Sequence, residues 1–143
     1  MNETEALIKE VLLNASVSKV WKAITDKDDM KQWYFEINEF KPEVGFEFQF
    51  WGDDGKKKWL HLCKITEIAI EQKLTYSWRY DGYEGISYVT FELFPVGTQT
   101  RLKLTHSGVE SFRSDVNLEF NRENFKAGWT ELIEKSIKEF VEK

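Results

Sequence analysis

The stretch that decides the fold is NFKAGWTELIEKSIKEFVEK, residues 124–143, at the C-terminal end of the chain. At about 100° per residue, its large apolar side chains fall on one arc, and its glutamates and lysines occupy the opposite arc. Burying six large apolar side chains is worth roughly 9–18 kcal/mol before conformational entropy is subtracted. We therefore expect a long helix that begins near Asn121 or Asn124 and packs this arc against the rest of the chain. The arc consists of Phe125, Trp129, Leu132, Ile133, Ser136, Ile137 and Phe140.

Gly128 stands in the early turns of this predicted helix. A glycine inside a helix costs about 1 kcal/mol relative to alanine, so its presence needs a reason. The same helical arithmetic places Gly128 roughly 100° from the centre of the apolar arc, on its flank. We expect a neighbouring strand or loop to approach the helix closely at this position.

Upstream of the helix, between residues 35 and 107, apolar residues alternate with polar ones. A period of two predicts strands, and the turn sequences at 52–55, 81–82 and 95–97 separate them. Consecutive strands joined by short turns predict an antiparallel meander with one buried face. The positions expected to face inward are Phe46, Phe48, Phe50, Trp59, His61, Cys63, Ile65, Leu74, Tyr76, Trp78, Tyr80, Val89, Phe91, Leu93, Leu102, Leu104 and His106.

The N-terminal part of the chain predicts one further strand and two short helices. The strand is expected over residues 6–13, and Ser16 suits the N-cap of the helix that follows. A second short helix is expected from Asp28 to Tyr34, with Met30 and Trp33 as its apolar residues. Helices near both ends and strands between them indicate an α+β fold.

Composition limits the kinds of function that the chain can have. Its 143 residues fit a single domain over 1–143, and its net charge of -5 comes without a cluster of basic residues. Nucleic-acid binding is therefore not expected, and no apolar run is long enough to cross a membrane. The first residues, MNETEALIKE, lack the apolar core of a signal peptide, and the single Cys63 suits a reducing compartment. We expect a cytoplasmic protein.

Short motifs along the whole chain resemble one known family. They are VWKAIT with MKQW (20–33), VGFEFQF (44–50), KITEI (64–68), LTYSW (74–78), TRLKLTHSG (100–108) and the closing Gly128-Trp129. In this order and spacing, the sequence resembles the bacterial relatives of the C-terminal domain of the activator of Hsp90 ATPase, in the START-like, Bet v 1-like (SRPBCC) superfamily.

The resemblance implies the helix-grip fold. In that fold a curved antiparallel sheet of about six to seven strands wraps around a long C-terminal helix, with two short helices after the first strand. The resemblance also implies a cavity between sheet and helix that can take a small hydrophobic molecule. Members of the superfamily bind lipids and plant hormones, cyclise polyketides or stimulate Hsp90, so the fold alone does not select a function.

The aromatic content of 15% is the main functional signal in the residues themselves. Inward aromatic side chains can line a cavity for an apolar or planar ligand, and the Tyr76 hydroxyl could then donate a hydrogen bond that orients it. The alternative is a filled core, because a concave sheet also needs large side chains to pack against a helix. The candidate ligand-binding residues are Trp33, Phe48, Phe50, Trp59, His61, Tyr76, Trp78, Phe91, His106, Phe125, Trp129 and Ile133.

Catalytic candidates are few. His61, Tyr76 and His106 could supply an acid or base inside the cavity, but such a histidine is more often a buried residue bonded to a neighbour. Cys63, two residues from His61, could form a thiolate pair with it, although a small buried hydrophobe is the commoner role. His61, Cys63 and His106 match no compact zinc motif. We assign no catalytic residue, metal or cofactor.

Three functions remain. The leading hypothesis is a non-enzymatic or weakly catalytic protein, a monomer or weak dimer, that binds a small hydrophobic or aromatic ligand in the grip cavity. The second is an Hsp90 co-chaperone-like interaction module, which the family resemblance implies. The third is an enzyme of the cyclase or aromatase type, which would need His61, Tyr76 or His106 to converge on one substrate.

Overall fold

Six antiparallel strands form one curved sheet around the C-terminal helix in the computed structural model, which describes residues 6–53, 58–112 and 122–143. The strand order across the sheet is β1-β6-β5-β4-β3-β2, so the five later strands form a meander and the first strand joins the last. This is the helix-grip fold that the sequence predicts. The elements are β1 (Leu7–Leu13), α1 (Val17–Thr25), α2 (Lys27–Trp33), β2 (Glu47–Asp53), β3 (Lys58–Ala69), β4 (Lys73–Tyr80), β5 (Ser87–Val96), β6 (Gln99–Ser107), a 3₁₀ turn (Val109–Ser111), α3 (Arg122–Glu131), a π-helical turn (Leu132–Ser136) and α4 (Ile137–Val141).

The two short helices begin at side-chain caps. The Ser16 hydroxyl accepts a hydrogen bond from the backbone N–H of Lys19, at 3.2 Å, as its position in the sequence predicts. Asp26 caps α2 in the same way, accepting from the N–H of Asp29 at 3.0 Å. Helix α2 therefore starts and ends one residue earlier than the predicted range, and Tyr34 is its C-terminal cap residue.

The concave face of the sheet holds the side chains that alternation places inward. All of them are buried except Phe46, which precedes β2 and is half-buried. One irregularity was not predicted: between the pairs Ile65–Tyr76 and Glu67–Thr75, β3 contains one extra residue. Such a bulge increases the local twist of a strand.

The C-terminal helix buries residues at a constant spacing of four: Phe125, Trp129, Ile133, Ile137 and Val141. In an α-helix, four residues rotate by about 400°, so such a row drifts by roughly 40° at each step. The π-helical turn has more residues per turn and corrects that drift, with the N–H of Ile137 donating to the carbonyl of Leu132.

Because of this wider turn, one residue of the predicted buried arc is wrong. Phe140 was expected in the buried arc, but it is only partly buried, and Val141 is fully buried in its place. The expectation assumed a uniform α-helix, whereas the extra residue in the turn shifts the inward positions by one. The helix begins at Arg122, and Asn121 lies outside the described residues.

The expectation for Gly128 is wrong. The residue is exposed, and a Cβ atom built there meets no heavy atom within 4 Å. No strand or loop among the described residues approaches the helix at this glycine. It therefore weakens the helix without a compensating contact in the described structure.

We predict that Gly128→Ala raises the free energy of unfolding by about 0.5–1 kcal/mol, because alanine restricts the unfolded chain and favours the helix. Urea denaturation measures this change. Gly108→Ala is the matched control and should destabilise, since Gly108 has φ +84° and its added Cβ would lie 3.1 Å from the carbonyl oxygen of Ile86. A destabilised Gly128→Ala protein would contradict the prediction.

Candidate functional site

Trp78, on β4, lies at the centre of the aromatic side chains between the sheet and the C-terminal helix. Its ring centroid is 4.8 Å from that of His61, 5.4 Å from His106 and 5.7 Å from both Phe50 and Trp129. Distances in this range are contacts between neighbouring rings. These side chains thus pack on one another, and Trp129 carries the contact from the sheet to the helix.

A directed chain of hydrogen bonds crosses the same interface. Trp129 Nε1–H donates to His106 Nδ1 at 2.8 Å, so this nitrogen is unprotonated and the ring hydrogen is on Nε2. His106 Nε2–H then donates to the Ser87 hydroxyl oxygen at 2.7 Å. The Ser87 hydroxyl in turn donates to the carbonyl oxygen of Trp78 at 3.0 Å. Helix and sheet are joined by polar groups that satisfy one another.

These contacts keep His106 neutral. The residue is fully buried, and burial lowers its pKa from 6.5 to about 3. Protonation would also place a hydrogen on Nδ1, directly against the donor of Trp129. The geometry matches a buried histidine bonded to its neighbours.

His61 is the second buried histidine of the interior. Its ring stacks on Phe50 with the centroids 4.5 Å apart, and its Nδ1 bonds to the carbonyl oxygen of Trp59 at 2.9 Å. Burial lowers its pKa from 6.5 to about 4, although hydrogen bonding to the backbone of Trp59 and Phe50 opposes that shift. Gly52 makes room for the ring, because a Cβ there would lie 2.9 Å from His61 Cε1.

Tyr76 forms a hydroxyl pair with Tyr34, with 2.7 Å between the two oxygens. Tyr76 is fully buried, and burial raises the pKa of both phenols. Each oxygen has a partner, but the pair has two hydroxyl hydrogens and only one bond between them. Within the described residues, the second hydroxyl hydrogen has no acceptor.

The Cys63 thiol is buried on β3, and burial raises its pKa. A raised pKa keeps the thiol protonated and unreactive, as expected for a small buried side chain. Across the described ranges, no three His, Cys, Asp or Glu side chains gather as metal ligands would. In the same part of the chain, no helix is long and apolar enough to span a bilayer.

The twelve candidate residues from the sequence are all buried, but they form more than one group. Most of them surround Trp78 and Tyr76. Trp59 instead lies toward one end, against Tyr80 and Tyr83, and Trp33 donates its Nε1–H to the carbonyl oxygen of Ala23, which links the two short helices. Whether these residues bind a ligand stays a prediction.

Sequence reasoning missed Tyr34 and Phe35, which follow Trp33 directly. The Tyr34 ring is 4.9 Å from Trp33 and 6.2 Å from Trp129, and Phe35 stacks on Phe50 at 4.4 Å. Both are half-buried and form the accessible side of the aromatic cluster. Three consecutive aromatic residues at the end of a predicted helix were the available signal.

A groove of about 520 Å³ lies on the outer face of the sheet, which is the face turned away from the C-terminal helix. Outward side chains of β2, β3 and β4 form most of its lining, and Asn38, Glu39, Ile86 and the inward residues Phe48 and Cys63 also border it. This is not the position of the cavity that the family resemblance implies. The aromatic cluster and the groove are therefore two separate candidate sites.

We predict that stability falls as the pH drops from 6.5 toward 4. Both histidine pKa values are lower in the folded than in the unfolded protein, so the unfolded state takes up protons first. Well above pH 6.5 both histidines are neutral in the folded and the unfolded state, so they do not affect stability. At pH 5 the free energy of unfolding falls by about 2 kcal/mol per histidine, at 1.36 kcal/mol per pKa unit. Urea denaturation at several pH values measures it, and imidazole NMR signals that titrate near 6.5 in the folded protein would contradict it.

We also predict that Ser87→Ala destabilises the protein by about 1–3 kcal/mol, because His106 Nε2–H is left buried without an acceptor. Thermal unfolding monitored by circular dichroism tests this. Ser107→Ala, at a partly buried serine next to His106 in sequence, is the control and should change stability by less than about 0.5 kcal/mol. Equal effects of the two substitutions would show that the hydrogen-bond chain contributes nothing.

Comparisons with known proteins agree with this architecture. Among solved structures, MLL2253 from Mesorhizobium loti is 25% identical, with a TM-score of 0.78 and 96% of each chain covered. BH1534 from Bacillus halodurans is 26% identical, with a TM-score of 0.75, 99% of this chain and 100% of that chain covered. CV1439 from Chromobacterium violaceum, 19% identical, has a TM-score of 0.80 with 97% and 98% coverage and shows the fold alone. The search of curated proteins gave no match.

The family comparison covers nearly the whole chain. Residues 14–142 match the profile described as Activator of Hsp90 ATPase homolog 1-like protein. The matched part includes both short helices, five of the six strands and the C-terminal helix through Val141. The chain therefore belongs to the Activator of Hsp90 ATPase homolog 1-like family, within the START-like superfamily.

Proposed function

We propose that this protein binds a small hydrophobic or aromatic molecule with one polar acceptor atom, next to the Tyr34–Tyr76 pair. The observation that carries the proposal is the surplus hydroxyl hydrogen of that pair, which lies among aromatic rings. Two hydroxyl groups that share one hydrogen bond can donate one more. A carbonyl or ether oxygen on a ligand would accept it.

The surroundings of the pair set the chemistry of the ligand. The Tyr76 ring contacts Phe48 at 5.0 Å and Phe91 at 6.2 Å, and Tyr34 contacts Phe50 and Trp129. No charged side chain is among these neighbours, so they favour a neutral, planar or apolar body. Pockets of this kind typically combine apolar walls with a few polar groups that orient the ligand.

Access is proposed at the end of α2, beside Tyr34 and Phe35. These are the half-buried members of an otherwise buried set, and Tyr34 follows the last helical residue. Because the interior rings contact one another, the ligand takes space that these two side chains vacate when they turn outward. We therefore propose that the side chains of Tyr34 and Phe35 rearrange when the ligand binds.

The two histidines support binding rather than acid–base catalysis. With pKa values of about 4 and 3, both are neutral near pH 7, and both nitrogens of His106 already have partners. A cyclase or aromatase activity therefore has little support from these side chains. A partner of the Hsp90 type is suggested by the family description and stays a prediction for this chain.

Two naphthalene probes of similar size test the role of the hydroxyl pair: 2-acetylnaphthalene, which has a carbonyl acceptor, and 2-ethylnaphthalene, which has none. The double variant Tyr34→Phe/Tyr76→Phe keeps both rings and removes both hydroxyls. We expect it to bind 2-acetylnaphthalene about 5–15-fold more weakly, the equivalent of one hydrogen bond at about 1–1.5 kcal/mol. Quenching of tryptophan fluorescence measures the affinities.

Affinity for 2-ethylnaphthalene should be unchanged or higher in the double variant, because that probe cannot accept a hydrogen bond. Tyr88→Phe is the matched control, since Tyr88 is exposed on the outer face of β5. The proposal fails if the wild-type protein binds neither probe. It also fails if the double variant binds both probes as the wild type does.

A further inference from the structure

The outer face of the sheet differs between its two halves. Toward β1, its residues form a cross-strand row of alternating charge, in which Glu10 pairs with Lys103, Lys103 with Glu92 and Glu92 with Lys73. Alternating charges on adjacent strands compensate one another and suit a face turned to water. The charged side chains of this row thus have neighbours of opposite charge on the adjacent strands.

Toward β2 the pattern changes. Gln49 lies opposite Leu62, and Leu62 lies opposite Arg79, so the guanidinium has an apolar cross-strand neighbour on β3. Large apolar side chains are exposed nearby, with Trp51 61% and Ile86 43% accessible. Exposed apolar side chains such as Ile8 and Leu12 also occur toward β1, so the difference between the two halves lies in how the charged side chains are paired.

The groove of about 520 Å³ lies in this half. Leu62 and Ile86 supply its apolar lining, and Lys64 and Arg79 supply two cations. Arg79 makes no ion pair or side-chain hydrogen bond within the described residues, whereas Arg101 on the other half is paired with Glu10. An exposed guanidinium beside apolar side chains can donate hydrogen bonds to a planar anion.

The acidic residues of the groove narrow the choice of anion. Glu47 lies directly opposite Lys64 across β2 and β3, and Glu39 is also on the lining. Lys64 thus has a carboxylate neighbour on the next strand, whereas Arg79 has Leu62 opposite it on β3 and makes no ion pair within the described residues. The two carboxylates on the lining oppose a dianion such as phosphate more strongly than a single negative charge.

We propose that this groove binds an amphipathic monocarboxylate, with its carboxylate on Arg79 and its aryl or alkyl body on Leu62 and Ile86. A guanidinium can hold a carboxylate through two parallel hydrogen bonds, which fixes the orientation of the ligand. The volume lies within the range of about 300–1,000 Å³ for small-molecule sites. The site is on the opposite face of the sheet from the Tyr34–Tyr76 pair and does not depend on the proposed function.

The test uses 2-naphthoate, the carboxylate counterpart of 2-acetylnaphthalene, with NMR of backbone amides. We expect 2-naphthoate to shift amides of residues 62–64 and 77–79, with a Kd on the order of 0.1–1 mM for an open groove. Arg79→Gln should weaken this binding at least tenfold, and added NaCl should weaken it in the wild-type protein. Arg101→Gln, on the charged half of the same face, is the matched control and should leave the affinity unchanged.

The two proposed sites are distinguished by crossing the variants with the ligands. Arg79→Gln should leave the affinity for 2-acetylnaphthalene unchanged, and Tyr34→Phe/Tyr76→Phe should leave the affinity for 2-naphthoate unchanged. Inorganic phosphate should not displace 2-naphthoate. The inference is overturned if Arg79→Gln binds 2-naphthoate like the wild type, if the shifted amides surround the aromatic cluster, or if 2-naphthoate causes no shifts.

Discussion

The hydrogen bond from Trp129 to His106 is the contact on which the architecture depends. Apolar contact between a sheet and a helix has no preferred direction, so it specifies their alignment through side-chain shape alone. A buried donor and acceptor allow one alignment, since any other leaves polar groups unsatisfied. The bond from Trp129 Nε1 to His106 Nδ1 therefore sets where the helix lies along β6, and Ser87 extends the constraint to β5. The same constraint keeps the imidazole of His106 neutral, so this histidine serves the fold and not catalysis.

Much of this fold was predictable from local rules. Alternation placed the inward residues of the strands correctly because one face of the sheet is buried along its length. The Ser16 cap was also predictable, because a helix start depends on a single side chain and its near neighbours. Such features are decided within a few residues of sequence.

Other features depend on contacts or geometry that local rules do not contain. The burial of Val141 in place of Phe140 follows from a π-helical turn that periodicity at 100° per residue cannot represent. Gly128 was wrongly expected to meet a neighbour, because a glycine in a sequence does not reveal whether space or packing surrounds it. The Tyr34–Tyr76 pair joins residues 42 positions apart, and the groove at Arg79 arises only when three strands are aligned. For the candidate sites, the residue types could be predicted from the sequence, but the contacts between residues distant in the sequence could not.

The π-helical turn has a consequence for comparing this chain with its relatives. It adds one residue to a turn of the helix. The spacing of sheet-facing residues before Leu132 therefore does not continue unchanged after Ser136. A relative whose helix lacks the π-helical turn would place the same buried face against the sheet with one residue fewer. If the two sequences were aligned without a gap, each buried position of the relative after this turn would be matched to the wrong residue here, one position away. Residues of the C-terminal helix should therefore be compared between relatives by superposing the structures and not by counting along the sequence.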